Sequence, residues 1–307
     1  MDDNLLLPPR AVLQRVSDAL PPSVRDRVIV VGSLAAGFHF FGDEGGMTVR
    51  TKDADCLLSP RLQAVAAGTA LAEELLDADW SFHPVDEFPE PGTSETPDER
   101  LPVLRLDPPD TPGWFLEVLG AHETGDQRAR SFDRIETPRG HFALASFRYL
   151  VLCERDPIET DLGVRIARPE AMALANLLAH PEIRPDLISK PLHGMSVKRS
   201  NKDLGRALAI ARLSGDETVE RWAETWWGDL RHCFPDDSAV LAGRAGSGLR
   251  ALIGRPEDLR EAHHTCVWGL LAQRPPTPDE LLAVGQRLVQ DAIEPLEALA
   301  QEDGDAS

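Results

Sequence analysis

Asp53 and Asp55 flank Ala54 within Met47 to Leu58, a stretch that reads as one long strand. Alternate side chains leave a strand on the same face, so Val49, Thr51, Asp53 and Asp55 share a side. The two carboxylates would then lie roughly 7 Å apart at their Cα atoms. Carboxylates so placed repel each other unless a cation sits between them, and such oxygen donors suit Mg2+ or Mn2+. Upstream, Arg27 to Val31 reads as a buried strand, broken by Gly32-Ser33. A helix from Leu34 to Phe41 follows, with Ser33 in the N-cap position. Backbone N–H groups at a helix start point outward with partial positive charge, and glycine lets an anion approach closely. A strand, a Gly-Ser turn, a helix and a strand carrying Asp-x-Asp together can hold a triphosphate and its divalent cation.

The elements around this constellation divide into two halves. Val12, Leu13, Val16 and Leu20 have helical spacing over 9–20, and Pro21-Pro22 ends that helix. Residues 42–46 form a Gly-rich loop, 61–78 a helix, and 73–99 an acidic surface segment with a short strand near Trp80–Val85. Val103–Leu106 and Trp114–Leu119 read as two strands of a hairpin whose loop runs from Asp107 to Gly113. Residues 121–141 are polar, with a turn at Pro138-Arg139-Gly140. From about Ser146 the pattern is mainly helical: a helix opening at Pro169, another over Asp203–Leu213, then helices near 217–230, 237–252, 257–272 and 278–299, with a frayed end from Gln301 to Ser307. The fold class expected is α/β (α+β), a mixed sheet flanked by helices in residues 1–150 and a mainly helical domain in 151–307. The boundary falls near 145–165.

Composition narrows the function classes. The chain has 307 residues, 42% hydrophobic and 27% charged, as in soluble globular proteins. No run of eighteen apolar residues suggests a membrane span. The acidic start Met1-Asp2-Asp3-Asn4 lacks the basic opening of a signal peptide, so a cytoplasmic location is expected. Cys56, Cys153, Cys233 and Cys266 form no CxxC pair and read as core thiols, not zinc ligands or disulfides. His263-His264 beside Cys266 reads as a helix-surface pair, and Trp222, Trp226 and Trp227 as core. The net charge of −19 argues against broad nucleic-acid binding and suits a cationic small substrate or a basic protein partner. It leaves room for a local basic groove. Residues 190–212 supply one, with Lys190, Lys198, Arg199, Lys202, Arg206 and Arg212 against the single acid Asp203.

Gly32-Ser33 followed by Asp53-Ala54-Asp55 resembles the nucleotidyltransferase superfamily related to DNA polymerase β. Val31 to Ala36 and Arg50 to Asp55 are similar to its bacterial toxin-type branch, the AbiEii-like type IV abortive-infection toxins. Arg168 to Leu174 resembles the helix that opens with Pro-Glu in those proteins, and Lys202-Asp203-Leu204 their later basic-Asp-Leu segment. The resemblance covers roughly residues 25–215. It implies a third carboxylate on a later strand antiparallel to the Asp-x-Asp strand. Glu117, an acid between four apolar residues, is the best candidate, because burial there calls for a cation. Asp107 is the runner-up, among prolines where turn chemistry explains it. The resemblance departs in three places: the Ser33–Asp53 gap is long, the third acid is Glu, and Asn176 stands where relatives carry a triphosphate-facing lysine.

The resemblance implies a metal site of Asp53, Asp55 and Glu117, with Lys202 and Asp203 completing the catalytic set. Gly32, Ser33, Lys52, Lys190 and Lys198 would bind the nucleotide. Mg2+ (or Mn2+) is the implied cofactor and a nucleoside triphosphate the substrate. The implied reaction moves a nucleoside monophosphate to an acceptor hydroxyl, RNA or a tRNA end in the toxin branch, restrained by an antitoxin protein. Glu117 would complete a second metal position or act as general base, and Lys202 or a neighbour would neutralise the leaving pyrophosphate. A small-molecule, antibiotic-type nucleotidyltransferase and a catalytically inactive nucleotide-binding module are the competing expectations.

Overall fold

The computed structural model describes residues 6–42, 44, 46–85, 87–109, 113–122 and 128–305. In chain order the first half contains β1 (Leu6–Leu7), α1 (Pro9–Ala19), α2 (Pro22–Arg25), β2 (Val28–Val31), α3 (Gly32–Phe41), β3 (Val49–Arg50), β4 (Asp53–Leu58), α4 (Ala64–Asp77), β5 (Ser81–Phe82), β6 (Arg105–Asp107), β7 (Phe115–Ala121), β8 (Arg130–Thr137) and β9 (Gly140–Phe147). A 3-10 segment, Arg148–Glu154, leads to β10 (Ile158–Glu159) and β11 (Arg165–Ile166). Helices follow: α5 (Pro169–Ala179), α6 (Arg199–Ser214), α7 (Asp216–Val219), α8 (Trp222–Cys233), α9 (Ser238–Ala245), α10 (Ser247–Ile253), α11 (Pro256–Val267), α12 (Pro278–Leu288) and α13 (Glu294–Asp305).

Among the described residues nine strands form one mixed sheet in the order β10-β11-β2-β4-β7-β6-β5, with β9 paired to β7 and β8 to β9. β2, four consecutive buried β-branched residues, lies between antiparallel β4 and parallel β11. A run apolar on both faces is what a strand covered on both sides requires. β7 is central. It runs parallel to β4, pairs with β6 through Arg105 and Leu106, and beyond Glu117 changes neighbour to β9 through Leu119 and Ala121. The expected β6–β7 hairpin is present; residues 110–112 of its loop lie outside the described residues.

One sheet face is closed by α4. Gly68 lies so close to it that an added Cβ would stand 2.8 Å from Ile135 and 3.1 Å from Leu58. The opposite face, which carries Asp55, meets the start of α3, and Lys202 and Arg206 of α6 act on Asp55 from that side. Around α6 pack α5, α11 and α12. Trp222, Trp226 and Trp227 are core residues, and the Trp226 Nε1–H donates to the Glu170 carbonyl at 2.9 Å. All four cysteines are free and buried. Among the described residues no helix is long and apolar enough to cross a membrane.

Several expectations need correction. Met47 to Leu58 is two strands: the Thr51 hydroxyl donates to the Asp53 carboxylate at 2.6 Å and breaks the run. The third-acid strand β7 runs parallel to β4, not antiparallel. α3 begins at Gly32 with Val31 at the N-cap, so Ser33 is already in the first turn. The β8–β9 hairpin fills much of a segment read as polar connection, and β10–β11 lie where helix was expected. Because β11 pairs with β2, residues beyond 150 complete the sheet itself. Of the Gly-rich loop, residues 43 and 45 lie outside the described residues, as do Met1 to Leu5, residues 86 and 123–127, and the last two residues of the expected frayed end. That end is helical up to Asp305.

Candidate active site

The register of β4 and β7 assembles the acids. Asp55 stands directly opposite Glu117, and Asp53 leaves the same face two residues earlier. One ligand oxygen from each of Asp53, Asp55 and Glu117 lies within 4.8 Å of the others, a group able to hold a metal ion. Asp107, the runner-up, accepts from His83 Nδ1 at 2.8 Å and stands outside this group.

Gly32 abuts the acids. Its φ of +73° is a left-handed conformation that glycine adopts freely, and a Cβ there would fall on Asp55 Oδ2. The Asp-x-Asp strand and the α3 start are therefore in contact, with Ser33 opening onto the adjoining cleft.

Burial, then Asp53, then Glu117 push the Asp55 carboxyl well above its usual range, while Arg206 and Lys202 oppose the rise. Glu117 has its own partner: Arg105, its cross-strand neighbour, donates from Nε to Oε2 at 2.9 Å. That pair leaves Oε1 for another ligand. The carboxylates thus form a strained anionic cluster that a divalent cation would relieve.

Two cations face the cluster from α6, one turn apart. Arg206 at first, then burial, draw the Lys202 ammonium below its usual range, while Asp203, Asp53 and Asp55 hold it up. Burial works against the Arg206 charge, but Asp203, Asp53, Asp55 and Glu117 together raise it. Among the described residues Asp203 joins no acid group. It accepts from His180 Nε2 at 2.8 Å and from Arg206 at 3.4 Å. Burial would raise its carboxyl, yet His180, Arg206 and Lys202 hold it below the usual carboxylate range.

Beside Asp53 opens a cleft of about 210 Å³. Four residues named from the sequence, Ser33, Lys52, Lys190 and Lys202, line it, and so do Arg50, His193, Arg206 and Trp268. Lys198 does not: its Nζ is tied to Asp258 at 2.6 Å. Asn176 donates to the Met172 carbonyl of its own helix at 2.8 Å and is likewise absent from the lining. His263 and His264 bond the carbonyls of Pro276 and Leu192.

The acid-bearing face continues sideways as arginine and aromatic residues. Register puts Arg105, Phe115, Phe147, Arg130 and Phe132 on the side of Glu117. The Arg130 guanidinium lies 4.3 Å from the Phe132 ring and 5.3 Å from the Phe147 ring. Phe132 is 41% exposed. Arg105 lies over Phe115, which also stacks on His83 at 4.2 Å. Burial, with Arg199 and Arg105 nearby, draws Arg130 below its usual range, while Glu117 acts in the opposite sense.

The sequence pattern did not mark Arg50, Arg105, Trp268 and His193 for the site, and it marked Arg206 only as part of the basic 190–212 run. A signal existed for Arg206, which follows Lys202 at i,i+4; none existed for Trp268, which the fold brings in from beyond α11. In comparisons with known proteins, no family model, no curated protein and no solved structure matches the chain.

Proposed function

We propose that this chain is a divalent-cation-dependent nucleotidyltransferase with the polymerase-β-like nucleotidyltransferase fold, moving a nucleoside monophosphate from a triphosphate to a hydroxyl at an RNA end. One observation carries the reading: three carboxylates from β4 and β7 converge against the Gly32-Ser33 start of α3. Asp53, Asp55 and Glu117 would hold Mg2+ or Mn2+, which when bound screens the triphosphate and polarises the reacting phosphoryl group. The first-turn N–H groups of α3 and the Ser33 hydroxyl receive phosphate oxygens. Lys202 and Arg206 face the same space and neutralise the leaving pyrophosphate. They supply the charge that Asn176 lacks.

In the reaction the acceptor oxygen bonds to the α-phosphorus. The α-phosphorus bond to the bridging oxygen breaks, and pyrophosphate leaves with that electron pair. The hydroxyl proton passes to a carboxylate, assigned here to Glu117, which Arg105 holds in place. For the acceptor, the strip of Arg105, Arg130 and Arg199 with Phe115, Phe132 and Phe147 favours an anionic chain with stackable bases. A cationic small molecule would be repelled there, although the net charge of −19 favours one at longer range.

The test incubates the protein with each labelled triphosphate, Mg2+ and total RNA. Label on RNA, lost in Asp53→Ala and Asp55→Ala, supports the reading. Label on a small molecule alone would move the acceptor class. Absence of both transfer and Mg2+-dependent nucleotide binding would end it. Growth arrest on expression, abolished by Asp53→Ala, is the outcome expected of a toxin restrained by an antitoxin partner.

A further inference from the structure

The cleft beside Asp53 has a second character besides charge. Its far wall is an ordered aromatic plane. Trp268, just beyond α11, stacks on His193 with ring centroids 3.9 Å apart and planes 20° from parallel. The Arg50 guanidinium lies 4.3 Å from the Trp268 ring, and its buried Nε has no hydrogen-bond partner among the described residues. His193 belongs to a tight turn in which Leu192 and Met195 exchange hydrogen bonds of 2.8 and 3.0 Å. His193 and Gly194 both have positive φ, +44° and +80°. That pattern marks a two-residue hairpin turn of the primed type, and a non-glycine residue held there is strained unless contacts compensate. The Trp268 stack is one such contact. Another is the bond from His264 Nε2 to the Leu192 carbonyl at 2.7 Å.

Ile188, Pro191, Leu192 and Leu270 give the cleft apolar walls. Among the described residues, Arg50, Lys52, Lys190, Lys202 and Arg206 supply five cations to its lining and Asp53 one carboxylate. In a chain of net charge −19 this is a marked local inversion. The volume of about 210 Å³ is many times the space a single water needs, room for one flat ring system and its attachment. The lining thus suits a ligand that is aromatic at one end and polyanionic at the other. Asp53 and Lys202 belong both to this lining and to the acid site, so the two ends fall within one molecule.

We infer that the Arg50–Trp268–His193 wall is the subsite for the heteroaromatic base of the nucleotide, with the 187–198 hairpin holding His193 in place. This rests on the nucleotidyltransferase reading but concerns a separate set of residues. His193, backed by the Trp268 indole that Arg50 caps on its other side, supplies the stacking surface. Arg50 keeps the indole oriented and offers donors to the base edge. Base–aromatic stacking tolerates any of the four bases, so the wall sets affinity for nucleotides over bare polyphosphate.

The experiment compares Mg2+-dependent binding of a nucleoside triphosphate with that of inorganic tripolyphosphate, by calorimetry, in the full chain. Wild type should bind the nucleotide about tenfold or more tightly than tripolyphosphate. Trp268→Ala should remove that advantage and leave tripolyphosphate affinity unchanged. Trp268→Phe should restore part of it. His193→Ala provides a second variant should Trp268→Ala unfold. Equal loss for both ligands, or no loss for either in folded variants, overturns the subsite. Asp53→Asn should abolish both bindings. If wild type binds neither ligand with Mg2+, the functional reading fails first, an outcome distinct from failure of the aromatic wall.

Discussion

Replacing Asp55 by asparagine should stabilise the metal-free protein while removing its response to divalent cations. Asp55 is pressed between burial and two like charges, with one oxygen of each acid within 4.8 Å of the others. Coulomb's law at an effective dielectric near 20 gives about 3.5 kcal/mol for a pair of charges at that limit of 4.8 Å. Lys202 and Arg206 offset part of this, and proton uptake by the Asp55 carboxyl limits the remainder. We expect a net gain of about 1–3 kcal/mol for Asp55→Asn at pH 7.5 in chelator, read as a rise in Tm of roughly 2–4 °C per kcal/mol. The sign follows from the raised carboxyl. The folded state is least penalised below the unfolded pKa of about 3.9, and the penalty grows as pH rises through the higher folded value. The advantage of the variant should therefore be absent near pH 4 and largest at neutral pH. Adding Mn2+ at a hundred times its Kd should stabilise wild type by about 2.7 kcal/mol and the variant by far less. Thermal unfolding at several pH values, with and without Mn2+, measures all of this. A variant less stable than wild type in chelator, or one that gains as much from Mn2+, would refute the reasoning.

Gly32→Ala should lower Tm and weaken Mn2+ binding more than tenfold by calorimetry. The left-handed backbone costs about 1–2 kcal/mol for alanine, and the new methyl displaces the Asp55 carboxylate. Glu154, whose carboxyl burial pushes up to about 6, should destabilise the fold increasingly as pH rises through that value. Glu154→Gln should therefore be more stable at pH 8 by up to about 2 kcal/mol, with no difference at pH 4 in chemical denaturation.

The acid site was legible because its logic is nearly one-dimensional. Alternation puts Asp53 and Asp55 on one face, and an acid inside an apolar strand marks Glu117. The helix at Pro169 and the core tryptophans follow from proline's preference and helical spacing. Other parts depend on pairings that local sequence does not encode. On β8, Ser131 and Asp133 point inward and find partners in His122 and Arg61, so polar residues occupy both faces and no alternation shows. β10 and β11 are two residues each, too short to carry a period, and exist because β2 has a free edge. Lys198 looked like part of the basic run until Asp258, distant in sequence, claimed it. Arg50 and Trp268 meet because the end of β3 packs against the chain beyond α11, where the Arg50 N–H donates to the Gly269 carbonyl at 3.4 Å.

That wide spacing along the chain has a consequence during synthesis. The aspartates leave the ribosome early, the α6 cations much later, and Trp268 later still. At about 5–20 residues per second the interval between Asp55 and Trp268 is roughly 10–40 s. Early in that interval a nascent chain holds Asp53, Asp55 and the Gly32-Ser33 turn without the α6 cations, and until its end it lacks Trp268. On the proposed function, competence then comes only once Trp268 has emerged, and a fragment ending before α6 would lack both the α6 cations and the aromatic wall.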